Sequence, residues 1–125
     1  MKEVMAIIRL NRISQTKKAL LLAGFPSMTC RKMLGRGKKK VDFALTKYVP
    51  LTETSPRMLE EISEEHRLVP KRFITLIVQD HEVKKAVDAI MDANFTGSPG
   101  DGKIFVLPVL EVYQVRTGET GVDAV

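Results

Sequence analysis

The chain has 125 residues, 44% hydrophobic and 28% charged, which fits one globular domain with a real core. A formal charge of +5 points to an anionic partner: a nucleotide, a nucleic acid or an acidic protein face. One cysteine excludes an intrachain disulfide, the spacing of Cys30, His66 and His81 does not suit a protein-built zinc site, and no apolar run reaches the ~18–20 residues of a membrane span.

In chain order, MKEVMAIIRL lacks the apolar length and small-residue cleavage pattern of a secretory signal, so a cytoplasmic location is expected. Val4 to Leu10, VMAIIRL, is predicted as a strand, and Ser14 to Ala23 has helical spacing with Ser14 as candidate N-cap. Pro26 to Leu34 reads as a second strand, with Met28 and Cys30 alternating against Thr29 and Arg31. Cys30 is expected there as a buried structural thiol. Arg31 to Lys40, RKMLGRGKKK, then holds six basic residues and no acid.

A long excursion from about Gly35 to Pro70 follows, too long for a passive loop in a compact domain. Ser55-Pro56 inside it is a helix start, N-cap then proline. Met58, Leu59 and Ile62 give RMLEEISEEHRL one short apolar stripe, either a target-binding surface or a face packed on its own domain.

Phe73 to Gln79, FITLIVQ, is predicted as a third strand and Glu82 to Ala93 as a second helix, with Asp80 as candidate N-cap. The apolar stripes of the two helices are Leu20 and Ala23, then Val83, Val87, Ile90 and Met91. The helix ends match: Ala19-Leu20-x-x-Ala23-Gly24-Phe25 against Ala89-Ile90-x-x-Ala93-Asn94-Phe95. Gly24 and Asn94 sit where a helix ends in the left-handed conformation, with Phe25 and Phe95 placed to pack back. Ile104 to Leu107 and Val109 to Val115 continue as strand, interrupted at Pro108. The order βαβ, excursion, βαβ predicts an α+β, ferredoxin-like βαββαβ domain over 1–125, with a C-terminal tail from about 117. Both helices would lie on one face of the sheet. The open face needs cover, so an oligomer is expected.

The segment TGSPGDGKIFV, Thr96 to Val106, is the strongest chemical signal. Its glycines permit positive φ and close approach to a ligand, successive amides can form an anion nest, and Lys103 adds charge. Gly97 to Lys103 fits the start of a P-loop, but Ile104 stands where Ser or Thr would hold Mg²⁺. The context is also reversed, helix before and strand after. The segment therefore reads as a phosphate nest or a plain helix-to-strand loop, not a P-loop.

Three stretches, AIIRLNR, AGFPSMTCRKMLGRGKKK and GSPGDGKIFVLPVLEVYQVRTGETG, resemble the PII nitrogen regulatory proteins. The resemblance implies a trimer with ATP or ADP in clefts between subunits. It implies that Gly35, Gly37, Lys38, Gly100, Asp101, Gly102 and Lys103 approach the phosphates, that Ile7, Thr29 and Ile77 surround adenine and ribose, and that Arg116 reaches in from the neighbour. Lys71, with Gly37, Lys39 and Lys40, would meet 2-oxoglutarate. Met58, Leu59 and Ile62 would lie in the target loop. Some positions depart from the family. Lys39 replaces the usual Gln that ligates Mg²⁺, and a charged Lys has no lone pair to offer, which leaves Mg²⁺ uncertain. Gln114 replaces a second phosphate arginine, Leu10 replaces a proline, and Tyr48 lacks the context of the modified tyrosine. The long loop, GRGK and the FPSMTCRKMLGRGK stretch resemble the nif-operon branch, whose two types act as a heteromeric pair to switch nitrogenase off, and the longer loop and Lys39 resemble its second type.

The expected function is a nitrogen regulator sensing adenylates and 2-oxoglutarate and inhibiting nitrogenase, or alternatively acting on an ammonium transporter or assimilation enzyme. An RNA-binding module shares the βαββαβ plan, but Phe105 alone echoes its aromatic platform, so neither nucleic acid nor membrane is expected as partner. No nucleophile–base set is visible and Asp101 reads as a turn residue, so no enzyme is expected.

Overall fold

The computed structural model describes residues 1–37 and 68–125. Lys38, Lys39, Lys40, Tyr48, Ser55-Pro56, Met58, Leu59 and Ile62 lie outside the described residues. Two compact units divide the chain: Met1–Met33 with Lys71–Val125, and Leu34–Pro70.

The elements are β1 (Lys2–Arg9), α1 (Ile13–Leu22), β2 (Thr29–Gly35), β3 (Val69–Val78), α2 (Val83–Asn94) and β4 (Lys103–Pro108), with 3-10 turns at Leu10–Arg12, Asp80–Glu82 and Gly121–Ala124. The sheet order is β2-β3-β1-β4, and β1 runs antiparallel to both its neighbours. This is the expected ferredoxin-like order.

Period-two alternation sorts β1. Val4, Ala6 and Ile8 are buried, and Glu3, Met5 and Ile7 point the other way. Register places Val4 beside Leu76 and Ala6 beside Ile74. Leu20 of α1 and Ala86 and Ile90 of α2 complete this core, with Ala23, Val83 and Val87 packed partly against it. Full burial of a side chain such as Ile8 or Ile90 is worth about 1.5–3 kcal/mol. Met91, predicted in the apolar stripe, is instead half exposed.

Both helix starts differ from expectation. Neither Ser14 nor Asp80 is an N-cap, because a 3-10 turn precedes each helix and moves its start. Gln79 caps the second turn in a capping box with Glu82. Asp80 instead accepts from the N-terminal amine at 2.8 Å, which holds its carboxyl below the usual range.

The helix ends also diverge. Gly24 takes φ +94°, and Phe25 turns into the core. Asn94 stays helical, and Phe95 leaves in an extended conformation with its ring exposed. Asn94 is held by burial: its Nδ2 donates to Thr16 Oγ1 at 2.9 Å and to the Ile90 carbonyl at 2.8 Å. Thr16 in turn donates to the Arg12 carbonyl at 2.7 Å. Thr16 and Asn94 thus tie α1 to α2.

Two further expectations fail. Cys30 is exposed, because β2 is an edge strand and most of its side chains have nothing over them in the single chain. Val109 to Val115 is not a strand. β1 runs out where Lys2 pairs with Pro108, and after a last bond from Val109 N to the Met1 carbonyl at 3.2 Å the chain leaves the sheet. It forms a turn instead, closed by Gly118 N to Gln114 O at 2.7 Å and a Tyr113–Thr120 bridge.

Candidate anion-binding site

The face of the sheet opposite the helices carries the charges. Along β1, Ile7 and Arg9 share that face. Ile7 lies beside Lys103 of β4 and Phe73 of β3, and Arg9 lies beside Lys71. Cationic neighbours in one antiparallel pair repel, so a stable arrangement needs acceptors close by. The glycine loop between α2 and β4 supplies them.

Arg9 spans that loop. Its Nη1 donates to Asp101 Oδ1 at 2.7 Å and to Thr96 Oγ1 at 3.2 Å, and its Nη2 donates to the Pro99 carbonyl at 3.0 Å. Lys71 Nζ donates to the Gly100 carbonyl at 3.3 Å. The Thr96 hydroxyl, the Thr96 and Gly97 amides and the Arg9 charge together hold the Asp101 carboxyl down at about 2. The Asp101 charge is therefore spent within the loop.

Two glycines are required by the geometry. Gly102 has φ +109°, and a Cβ there would lie 1.9 Å from the Ile7 carbonyl oxygen. Gly100 has φ +99° and sits against the Arg9 guanidinium. The amides of Gly100 and Gly102 have no protein acceptor among the described residues. Close backbone approach, two amides without a protein acceptor, and the cations Lys71 and Lys103 on one sheet face gather hydrogen-bond donors and positive charge around this loop. On the helix side of the same loop lies a cavity of about 420 Å³, walled by Val87, Met91, Phe95 and Val106 and bordered by Lys103.

The structure brings together Ile7, Lys71, Gly100, Asp101, Gly102 and Lys103. It does not bring Ile77 to them. Ile77 pairs with Glu3, four residues from Ile7 along β1, or roughly 13 Å at strand rise. Thr29 opens β2, and Arg116 lies in the exposed turn beyond the far end of β4. Gly35 and Gly37 belong to the other compact unit, and neither adopts positive φ. Sequence reasoning missed Arg9 and Thr96. The signal for Arg9 was its place two residues after Ile7, on the same face of the strand.

The family model of the nitrogen regulatory protein P-II matches residues 1–119. A relative from Methanothermococcus thermolithotrophicus, "Nitrogen fixation nifHD region GlnB-like protein 2", is 47% identical, with 100% of this chain and 98% of the relative covered. The "Nitrogen regulatory protein GlnK2" of Haloferax mediterranei is 40% identical over 99% of this chain and 90% of its own length. The crystal structure of Arabidopsis thaliana PII bound to citrate superposes with a TM-score of 0.72 at 32% identity, covering 98% of this chain and 90% of that one.

Proposed function

The chain belongs to the nitrogen regulatory protein P-II family, and from that premise we propose that it senses ATP or ADP together with 2-oxoglutarate and restrains nitrogenase through its long loop. The observation that carries the ligand reading is the cradle of Lys71, Lys103 and the Gly100–Gly102 backbone. Lys103 and the glycine amides suit phosphate, and Lys71 suits a carboxylate. The citrate-bound relative supports a small polycarboxylate as ligand class. The nifHD names of the relatives support nitrogenase as target and a sister paralogue as companion.

The separation of Ile7 from Ile77 supports a trimer. One nucleoside cannot touch both on the same chain, so each would serve a different cleft of an assembly. Exposed Phe105 and Leu107 on the open sheet face supply apolar surface for that contact. Arg116, Thr29, Gly35, Gly37 and Lys38 would complete the nucleotide cleft, and Lys39 and Lys40 the 2-oxoglutarate site. Mg²⁺ would depend on ligands other than Lys39.

Calorimetry with ADP, ATP and 2-oxoglutarate, with and without Mg²⁺, tests the ligands. Lys103→Ala should weaken nucleotide binding by about 1.5–3 kcal/mol, the worth of a charge-assisted hydrogen bond. Unchanged affinity would remove Lys103 from the site. A pull-down from nitrogen-fixing cells, with and without MgATP plus 2-oxoglutarate, tests the target. Capture of nitrogenase supports the reading, whereas ligand-dependent capture of a transporter or assimilation enzyme replaces it. Met58→Asp with Ile62→Asp should abolish that capture while leaving the melting temperature unchanged.

A further inference from the structure

The glycine loop carries an acid at the very place where an anion is proposed to bind. A free carboxylate there would repel phosphate. Asp101 has no free oxygen. Its Oδ1 accepts from Arg9 Nη1 at 2.7 Å and from the Thr96 hydroxyl, and its Oδ2 accepts from the amides of Thr96 at 2.8 Å and Gly97 at 2.9 Å. The Thr96 oxygen also accepts from Arg9 Nη1 at 3.2 Å and from the Ser98 amide at 3.3 Å. The network closes on itself. It joins the start of the loop at Thr96 to its end at Asp101, and Arg9 adds the apex through the Pro99 carbonyl.

We propose that Asp101 is a positioning residue: with Thr96 and Arg9 it clamps the two ends of the glycine loop, so that the Gly100 and Gly102 amides stay available to a phosphate group. This inference rests on the nucleotide reading above. The clamp lets an acidic side chain stand in an anion site, because its charge is matched by Arg9 and its lone pairs are turned into the loop. Thr96 is the shared joint, since its hydroxyl donates to the acid and accepts from the base. Nothing in this arrangement uses Asp101 as a ligand to nucleotide or cation.

The test compares the full chain with Asp101→Asn, Thr96→Val and Thr96→Ser. ADP binding is measured by calorimetry in EDTA, and amide hydrogen exchange is followed at Thr96 and Gly97. Asp101→Asn and Thr96→Val should each weaken ADP by about tenfold or more, the scale of a lost charge-assisted bond. Both should speed exchange at Gly97 while leaving exchange in β1 and β3 unchanged. Thr96→Ser keeps the hydroxyl and should restore both readouts. If Asp101→Asn weakens ADP and Thr96→Val does not, Asp101 acts as a ligand and the clamp is wrong. If the loss for Asp101→Asn appears only when Mg²⁺ replaces EDTA, Asp101 serves a cation and the clamp is again wrong. A wild type that binds no ADP overturns the nucleotide reading instead. The clamp then stands if exchange at Gly97 quickens in both variants, and falls if it does not.

Discussion

The two βα halves of this chain end on nearly the same words, AL-x-x-AGF and AI-x-x-ANF, and fold differently there. In the first, Gly24 turns left-handed and Phe25 is only 8% exposed. In the second, Asn94 stays in the helix and Phe95 is 75% exposed. The first turn has only to hand the chain to an edge strand, and it can use its aromatic ring to close the core. The second must launch the glycine loop. Its last helical residue, Asn94, is recruited inward to join the helices, and the ring that follows is carried outward. A repeated sequence motif therefore encodes a helix end, and the context of each copy decides what the end does.

The sharpest way to break this comparison is to truncate both rings. Phe25→Ala should cost about 3–5 kcal/mol in chemical denaturation, as for other buried aromatic rings. Phe95→Ala should stay within about 0.5 kcal/mol in the single chain. A large loss for Phe95 would mean that another copy of the chain covers it.

Thr16→Val asks whether the polar tie between the helices is specific to the second cap. It leaves the Asn94 amide with one partner fewer in a buried position and should cost about 1–3 kcal/mol. A neutral result would mean that Asn94 is held by the Ile90 carbonyl alone.

Gly24→Ala isolates the first cap. A Cβ there meets nothing closer than 3.9 Å, so only the left-handed backbone is strained. The expected loss is about 1–2 kcal/mol. Asn94→Ala should not show this backbone term, because no residue other than glycine has positive φ among the described residues.

The smallest expected effect is a pH dependence confined to the second turn. The Asp101 carboxyl lies at about 2, below its ordinary 3.8. A depressed carboxyl contributes stability that is complete above the unfolded value and is lost as pH falls through the folded one. Hydrogen exchange at Gly97, after correction for its intrinsic pH dependence, should therefore show lost protection between about pH 4 and pH 2. The amide of Phe25 in the first turn should show no such step.

The alternation in VMAIIRL and FITLIVQ, the three- and four-residue spacing of the helices, and the order of elements were legible because each is a local pattern set by backbone period. The fold followed from those patterns and from the handedness of crossovers. The glycine loop was legible as a place of positive φ and close backbone approach, which Gly100 and Gly102 adopt, because only glycine takes such a backbone without strain. Local pattern could not show that Arg9 and Lys71 lie side by side. Their pairing joins residues 62 positions apart, and only strand register creates it. Thr96 was invisible for the same reason, since its role lies in what Arg9 and Asp101 do around it. Ser14 and Asp80 had the right chemistry for caps, but the preceding 3-10 turns shifted the helix starts away from them. Cys30 had the alternation of a buried residue, but burial depends on what covers a strand, and β2 lies at the sheet edge. The sequence by itself determined the order of the core strands and helices, because each is a local periodic pattern. Tertiary structure alone decided which charges meet, which cap turns inward and which ring is left outside, because those outcomes depend on neighbours that are distant in the chain.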